Sequence, residues 1–291
     1  MVTELAAARV TLERKARRAG LLLLPVVIPV AFVVVGGIGS TLLQSLGLMP
    51  LVGPPRLSLD AYGGGSAELL SAAGISLGIA AASTLAAAMI GAAAALLVVS
   101  GGWCGRMIAA ASAVTVTVPH LIGAATIGLL LADSGVLPRL LNISPVDWPA
   151  LVGGPWWIAV IAEYAWKESA FIALIVAGTL TTRVAQFDET ASLLGAGRWV
   201  RLRLVFLPLA LPSLIIASTI TFVYTLGSYE VAWLLGRTYP EPLAVMAMRL
   251  FNGVSLSSRP EAAAVAVITV FASFLAVMIA FLALRRSPVW R

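Results

Sequence analysis

The chain has 291 residues, of which 60% are hydrophobic and only 11% charged, with a net charge of +6. A soluble domain carries about 25% charged residues, so this much apolar surface calls for lipid as its solvent. Cys104 and His120 are the single cysteine and histidine, which excludes an internal disulfide and an all-protein His/Cys metal site.

A helix needs about 20 apolar residues to cross a bilayer. Six segments meet that length: 19–47, 72–99, 107–132, 155–181, 208–236 and 260–284. The gaps are short. One six-helix transmembrane domain over 19–285 is expected, between a basic N-terminus (1–18) and a short tail (286–291). The opening "ERKARRAGLLLLPVVIPVAFVVVGG" has the basic flank of a secretory leader. Its apolar run is longer than a leader's core, and no small-x-small site ends it, so it reads as a retained first helix. The second segment is rich in Ala, Gly and Ser, which let membrane helices approach closely. The third contains Pro119-His120. The proline predicts a kink, and His120 either faces a pathway or bonds a neighbouring helix.

Residues 133–157, rich in Pro, Gly and Trp, read as an external loop with aromatic residues at headgroup level. The fourth segment holds "AEYAWKESAF". Glu163 and Lys167, four apart with the acid first, share a helix face and can pair. Ionisable groups at that depth cost about 2.5–3.5 kcal/mol or more to insert, so Glu163, Lys167 and Glu168 either anchor the helix as a neutral set or line a substrate route. Glu230, near the outer end of the fifth segment, poses the same choice. Residues 237–259 form a second external stretch, where "PLAVMAMRLFNGV" predicts a short interfacial helix.

Lys and Arg set the orientation. With the N-terminus inside, the inner side holds Arg9, Arg14, Lys15, Arg17, Arg18, Arg106, Arg183, Arg198, Arg201, Arg203, Arg285, Arg286 and Arg291. The outer side holds Arg56, Arg139, Arg237, Arg249 and Arg259. Both termini are therefore expected in the cytoplasm. The basic bias suits anionic lipid headgroups rather than nucleic acid. The only lysines lie in "ERKAR" and "AWKES" without a preceding glycine, so no P-loop is present and ATP energy would have to come from another chain.

Between the fourth and fifth segments lies "DETASLLGAGRWVRLRLVFLPLALPSL". Asp188 or Gln186 can start a helix whose positive end suits the nearby acids. Gly195 and Gly197 allow a sharp turn, and the arginine-rich stretch resumes a second short helix before Pro208. The expected product is a polar knob on the cytoplasmic face. Counting from Glu189, Ala191 stands at +2, Gly195 at +6, Val205 at +16, Leu207 at +18 and Pro208 at +19. This spacing resembles the EAA motif of ABC importer permeases, with Thr190 where the family has alanine. "WKESAFIALIVAGTL" and "LGSYEVAWLLG" resemble the flanking family segments, and the likeness covers about residues 70–285.

The resemblance implies a type I ABC importer permease in a bacterial cell membrane. It carries no cofactor itself, since ATP and Mg belong to a partner ATPase. Its EAA loop (186–208) is then a coupling helix in which Glu189, Thr190, Ala191, Gly195, Ala196, Leu207 and Pro208 meet the ATPase. The implied partners are two ATPase subunits, a second and different permease, and an external solute-binding protein. Within the family the chain looks most like the polyamine, ferric iron, thiamine and phosphonate branch. His120, Glu163, Lys167, Glu168 and Glu230 are the pathway candidates, and their acids lean toward a cationic solute such as a polyamine or thiamine. The rival reading is an ion-coupled secondary carrier using Glu163, Glu168, Glu230 and His120 as a relay. Such carriers have inverted repeats and paired broken helices, neither of which the sequence displays. A membrane subunit with no pathway is a third reading, against which the embedded ionisable residues count.

Overall fold

The computed structural model describes residues 2–63 and 65–286, with side chains for 20–63, 65–180 and 187–286. The basic side chains of Arg9, Arg14, Lys15, Arg17, Arg18 and Arg183, and the tail 287–291 with Arg291, lie outside the described residues. The described chain is all-helical. It runs through α1 (Val2–Ser45), α2 (Asp60–Gly63), α3 (Ser66–Val99), α4 (Gly102–Thr117), α5 (His120–Leu131) and α6 (Val136–Leu140). Then follow α7 (Ile158–Leu193), α8 (Arg198–Arg201), α9 (Leu207–Gly227), α10 (Glu230–Leu235), α11 (Leu243–Asn252) and α12 (Arg259–Arg286).

Among the described residues, five helical segments are long and apolar enough to cross a membrane: Gly20–Ser45, Ser66–Val99, His120–Leu140, Arg198–Gly227 and Leu256–Arg286. The expected fourth span is not among them. Its helix, α7, is the longest after α1, but Glu163, Lys167 and Glu168 interrupt its apolar run. The expected third span is displaced toward the C-terminus, because the chain breaks at Val118–Pro119 instead of kinking. Both residues are extended there (ψ 125° and 143°), so α4 and α5 are separate half-helices. The expected fifth span is divided as well. α9 ends at Gly227, Ser228 is extended at ψ 131°, and α10 begins at Glu230.

The small residues of α3 do what their spacing predicts. Ala72, Ser76, Ala80, Ser83, Ala87, Gly91 and Ala95 are buried on one face. At Gly91 a Cβ would stand 2.8 Å from the Ile172 Cβ, so only glycine lets α3 lie this close to α7. Around α7 the core forms in two zones. Toward its C-terminus, Ile172, Val176 and Leu180 pack with Ala87, Ala95, Phe206, Ala210 and Ala217. Toward its N-terminus, Trp157, Val160 and Tyr164 pack with Ile79, Ala124, Val231 and Leu235. The half-helices α5 and α10 therefore share a core with the upper half of α7. A third core, of Ala72, Leu243, Met246 and Val265, joins α11 and α12 to α3. α11 is the short helix expected in the second external stretch.

The outward faces are apolar. Leu22 and Phe32 on α1 are each 79% exposed, and Phe271 on α12 is 68% exposed. In water such a surface would aggregate; in lipid it is the ordinary outside of a bundle.

Candidate functional site

Two places carry the polar chemistry: the break between α4 and α5, where α7 and α9 meet it, and the elbow joining α7 to α9.

At the break, Pro119 has no N–H, so the Thr115 carbonyl loses its normal helical partner. The Lys167 ammonium supplies one, donating to the Thr115 carbonyl at 2.7 Å and to the Val118 carbonyl. Lys167 thus caps the negative end of α4. Glu163 goes to the other half-helix. A Cβ on Gly123 would lie 2.8 Å from Glu163 Oε1, so the missing side chain admits the carboxylate to the first turn of α5, the positive end. This corrects the expected Glu163–Lys167 pair. The two residues share a face, but the broken helix offers each a complementary dipole end, and each takes it.

His120, the first residue of α5, lies between the two acids. Its Nδ1 is 3.2 Å from Glu163 Oε1 and its Nε2 is 3.4 Å from Glu168 Oε1. The Thr221 hydroxyl on α9 donates to Glu168 Oε2 at 3.0 Å. The ring of Tyr224, one turn further along α9, is 4.8 Å from the His120 ring, and Tyr164 meets Tyr224 edge-on at 6.5 Å. Burial is graded: Glu163 is fully buried, whereas the His120 side chain is 20% exposed. Among the described residues, buried Glu163 Oε2 and the buried Tyr164 hydroxyl meet no hydrogen-bond partner. Glu230 is exposed in the first turn of α10, where its charge acts on Tyr224 but makes no hydrogen bond or ion pair among the described residues. Four of the five pathway candidates are thus brought together, and the fifth is not.

Thr221, Tyr224 and Tyr164 were not singled out from the sequence. The signal was present in "TITFVYT", where Thr221, Tyr224 and Thr225 recur at helical spacing and mark one polar face in an apolar helix. Also missed was the outer pair in which Arg249 of α11 meets buried Glu241 at 2.7 Å. It borders a cavity of about 410 Å³ lined in part by Tyr229 and Trp233. A larger cavity of about 490 Å³ lies between α1, α11 and α12. Neither is lined by residues of the His120 cluster.

At the elbow, the first of the two expected short helices is absent as a separate element. α7 continues unbroken to Leu193, so neither Gln186 nor Asp188 starts a helix. The reason is that "ETASLL" has no breaker before Gly195. Gly195 then adopts φ 79°, its N–H bonds the Ser192 carbonyl, and the Ala196 N–H reaches back to the Ala191 carbonyl. This pair of bonds is a Schellman cap, which calls for glycine at the left-handed position. Arg201 of α8 donates to Asp188 of α7 at 2.7 Å and fixes the angle between the arms. Residues Leu202–Phe206 form a π-helical turn in which the Leu207 N–H bonds the Leu202 carbonyl, just ahead of Pro208. The turn accommodates the missing Pro208 N–H. Glu189 and Thr190 are exposed, and Ala191 is half-buried. The knob is less polar than expected: Leu193 and Leu194 are each 84% exposed and Trp199 is 82% exposed.

Residues 74–287 match the family model of the binding-protein-dependent transport system inner membrane component. The chain belongs to this family. It is a permease subunit of a binding-protein-dependent ABC importer, a multi-pass inner-membrane component that is itself non-catalytic, with the ATPase on a separate chain. The permease is 35% identical over 74 residues to the molybdenum transport system permease protein ModB of Azotobacter vinelandii, a match spanning 25% of the permease and 33% of that relative. Its fold is similar to that of a bacterial ABC transporter that imports the acidic polysaccharide alginate (TM-score 0.71, 20% identity, covering 95% of the permease and 99% of that chain). The alginate transporter in complex with its pentasaccharide-bound periplasmic protein matches at TM-score 0.69 and 17% identity, over 92% and 94% of the two chains. An amino acid ABC transporter matches at TM-score 0.57 and 17% identity, over 79% and 99%.

Two broken helices side by side are a feature of secondary carriers that was not expected here. They are present in the permease, at Val118–Pro119 and at Ser228. Family membership places them in an importer.

Proposed function

We propose that the permease forms half of a translocation pathway, takes both termini to the cytoplasm in a six-span arrangement, and couples to two ATPase subunits through residues 186–208. The observation that carries this reading is the elbow: a rigid glycine-capped turn presenting Glu189, Leu193, Leu194 and Trp199 outward, clamped by Asp188–Arg201. An apolar, exposed tip with one acid on its flank suits a groove on a soluble subunit better than it suits bulk water. α7 counts as the sixth span in this reading, its ionisable residues being met inside the bundle. Glu189, Thr190, Ala191, Gly195, Ala196, Leu207 and Pro208 act together, as a rigid body transmits force.

The remaining partners are a second, different permease and an external binding protein that delivers a small solute. The preference for a cation (a polyamine, thiamine or ferric iron, against phosphonate) has narrower support than the sequence suggested. Glu163 and Glu168 are engaged by His120 and Thr221, so Glu230 is the acid left to meet a solute. The similar proteins named above handle molybdenum, an acidic polysaccharide and amino acids, and so favour no single class.

Affinity purification of the tagged permease from its native membrane in mild detergent, with co-purifying chains identified by mass, tests the assembly. A P-loop ATPase together with a second permease is the expected result. Recovery of the permease alone, even after crosslinking through the elbow, would count against it.

A further inference from the structure

The ionic cluster lies at the far end of the element that carries the elbow. α7 is one uninterrupted helix from Ile158 to Leu193. Glu168 and Glu189 are therefore separated by about 31 Å along a single rod, at about 1.5 Å per residue. α9 returns from the elbow to the same level and delivers Thr221 and Tyr224 to the cluster. The Asp188–Arg201 ion pair ties the two rods at their cytoplasmic ends. What they grip at the other end is α5, a half-helix freed from α4 by the break at Val118–Pro119.

The grip is His120. Both its ring nitrogens face carboxylate oxygens, at 3.2 and 3.4 Å, and donating from both takes the imidazolium form. A neutral ring would turn one lone pair toward an acid. The ring also packs against Tyr224, so α9 as well as α7 holds it. At its far end α5 is held by the following loop, where the Trp148 Nε1–H donates to the Leu131 carbonyl at 2.9 Å, and between the two ends its contacts are small or aliphatic, such as Ala124 and Ile127.

We infer that His120 is a positioning residue that clasps the half-helix α5 to the α7–α9 lever, so that movement of the coupling elbow is delivered to α5. The inference rests on the importer reading above. The pathway then changes shape by displacement of α5 about the Pro119 break.

A thiol on α5 reads this without knowledge of the substrate. Ile122→Cys, at an exposed position, is introduced with Cys104→Ser into the complex purified from its native membrane and placed in liposomes. Its rate of modification by a charged methanethiosulfonate is compared in the nucleotide-free and the ATP–vanadate-trapped states. The expected result is a change of at least fivefold between states with His120 present, and less than twofold with His120→Gln, which carries no charge and whose two N–H donors share one nitrogen, so that it cannot face the two acids from opposite sides. Glu168→Gln, which keeps volume and removes one anchor, should abolish the change likewise and serves if the first variant does not assemble. Thermal melting of each complex is recorded alongside, since a merely structural role would lower stability and leave the state-dependent change intact. Retention of the fivefold change in the assembled variants overturns the clasp, as does its absence when His120 is present. Absence of a co-purifying ATPase fails the importer reading instead, and is seen before any labelling.

Discussion

Glu189→Lys is expected to reduce uptake at least tenfold while the permease remains in the membrane and the ATPase still hydrolyses ATP. Glu189 is exposed on the last turns of α7 and lies outside the packed core, so its replacement removes no buried contact. Exposed substitutions of this kind change folding stability by about 0.5 kcal/mol or less. A charge reversal at a docking face is costly in another way, since like charges brought together across an interface oppose association by several kcal/mol. Gly195→Val should produce the same uncoupling by a different route. Its side chain is disfavoured at φ 79° by about 1–2 kcal/mol, which opens the Schellman cap and releases the angle of the knob. Uptake within a factor of about two of the parent in both variants would mean that the elbow is only a connecting loop.

The second large effect is on stability. Lys167→Met should lower it by about 3–5 kcal/mol, the usual result of removing one member of a buried charged set. Lys167 is 4% exposed and donates to the Thr115 and Val118 carbonyls. Methionine fills a similar volume but takes the donor from the Val118 carbonyl, at about 1–3 kcal/mol for a buried group left unpartnered, and leaves the Thr115 carbonyl with only the Val118 N–H at 3.2 Å. It also leaves His120 as the one basic neighbour of Glu163 and Glu168 among the described residues. By the scaling known for soluble domains of this size, the melting midpoint in detergent should fall by about 5–8 °C. A fall of less than about 2 °C would show that water reaches the break and that Lys167 is not its cap.

Much of this was legible in the sequence. The class followed from apolar run lengths, and the close packing of α3 followed from small residues at helical spacing, though not that α7 is the helix that meets Gly91. Gly195 was marked as a turn by its type, and its left-handed backbone is what glycine is used for. Pro119 was marked as a disturbance, but whether a proline kinks or divides a membrane helix depends on what meets the freed carbonyls. Here Lys167 meets them from a helix 48 residues later, and no local pattern could announce that. The same non-local contact undid the Glu163–Lys167 pair. Spacing within one helix identifies residues that can meet, whereas the stronger attraction came from the ends of another. The length of α7 was hidden for a simpler reason. Asp188 and Gln186 make acceptable helix starts, and only the absence of any breaker between them and the preceding apolar run indicates continuation. The division of α9 from α10 had only the weak "LGS" signal, and the identity of the solute left no residue pattern at all.

The elbow is expected to seat on an ATPase. Leu193, 84% exposed at the tip, is the residue to place in contact. Leu193→Cys, in a Cys104→Ser background, would be treated in native membranes with a short thiol–amine crosslinker, and the product identified by mass. A single major adduct joining the permease to a P-loop ATPase is expected, weakened by Glu189→Lys. An intact complex in which the Cys at 193 reacts freely with a bulky maleimide and crosslinks to no ATPase would contradict it.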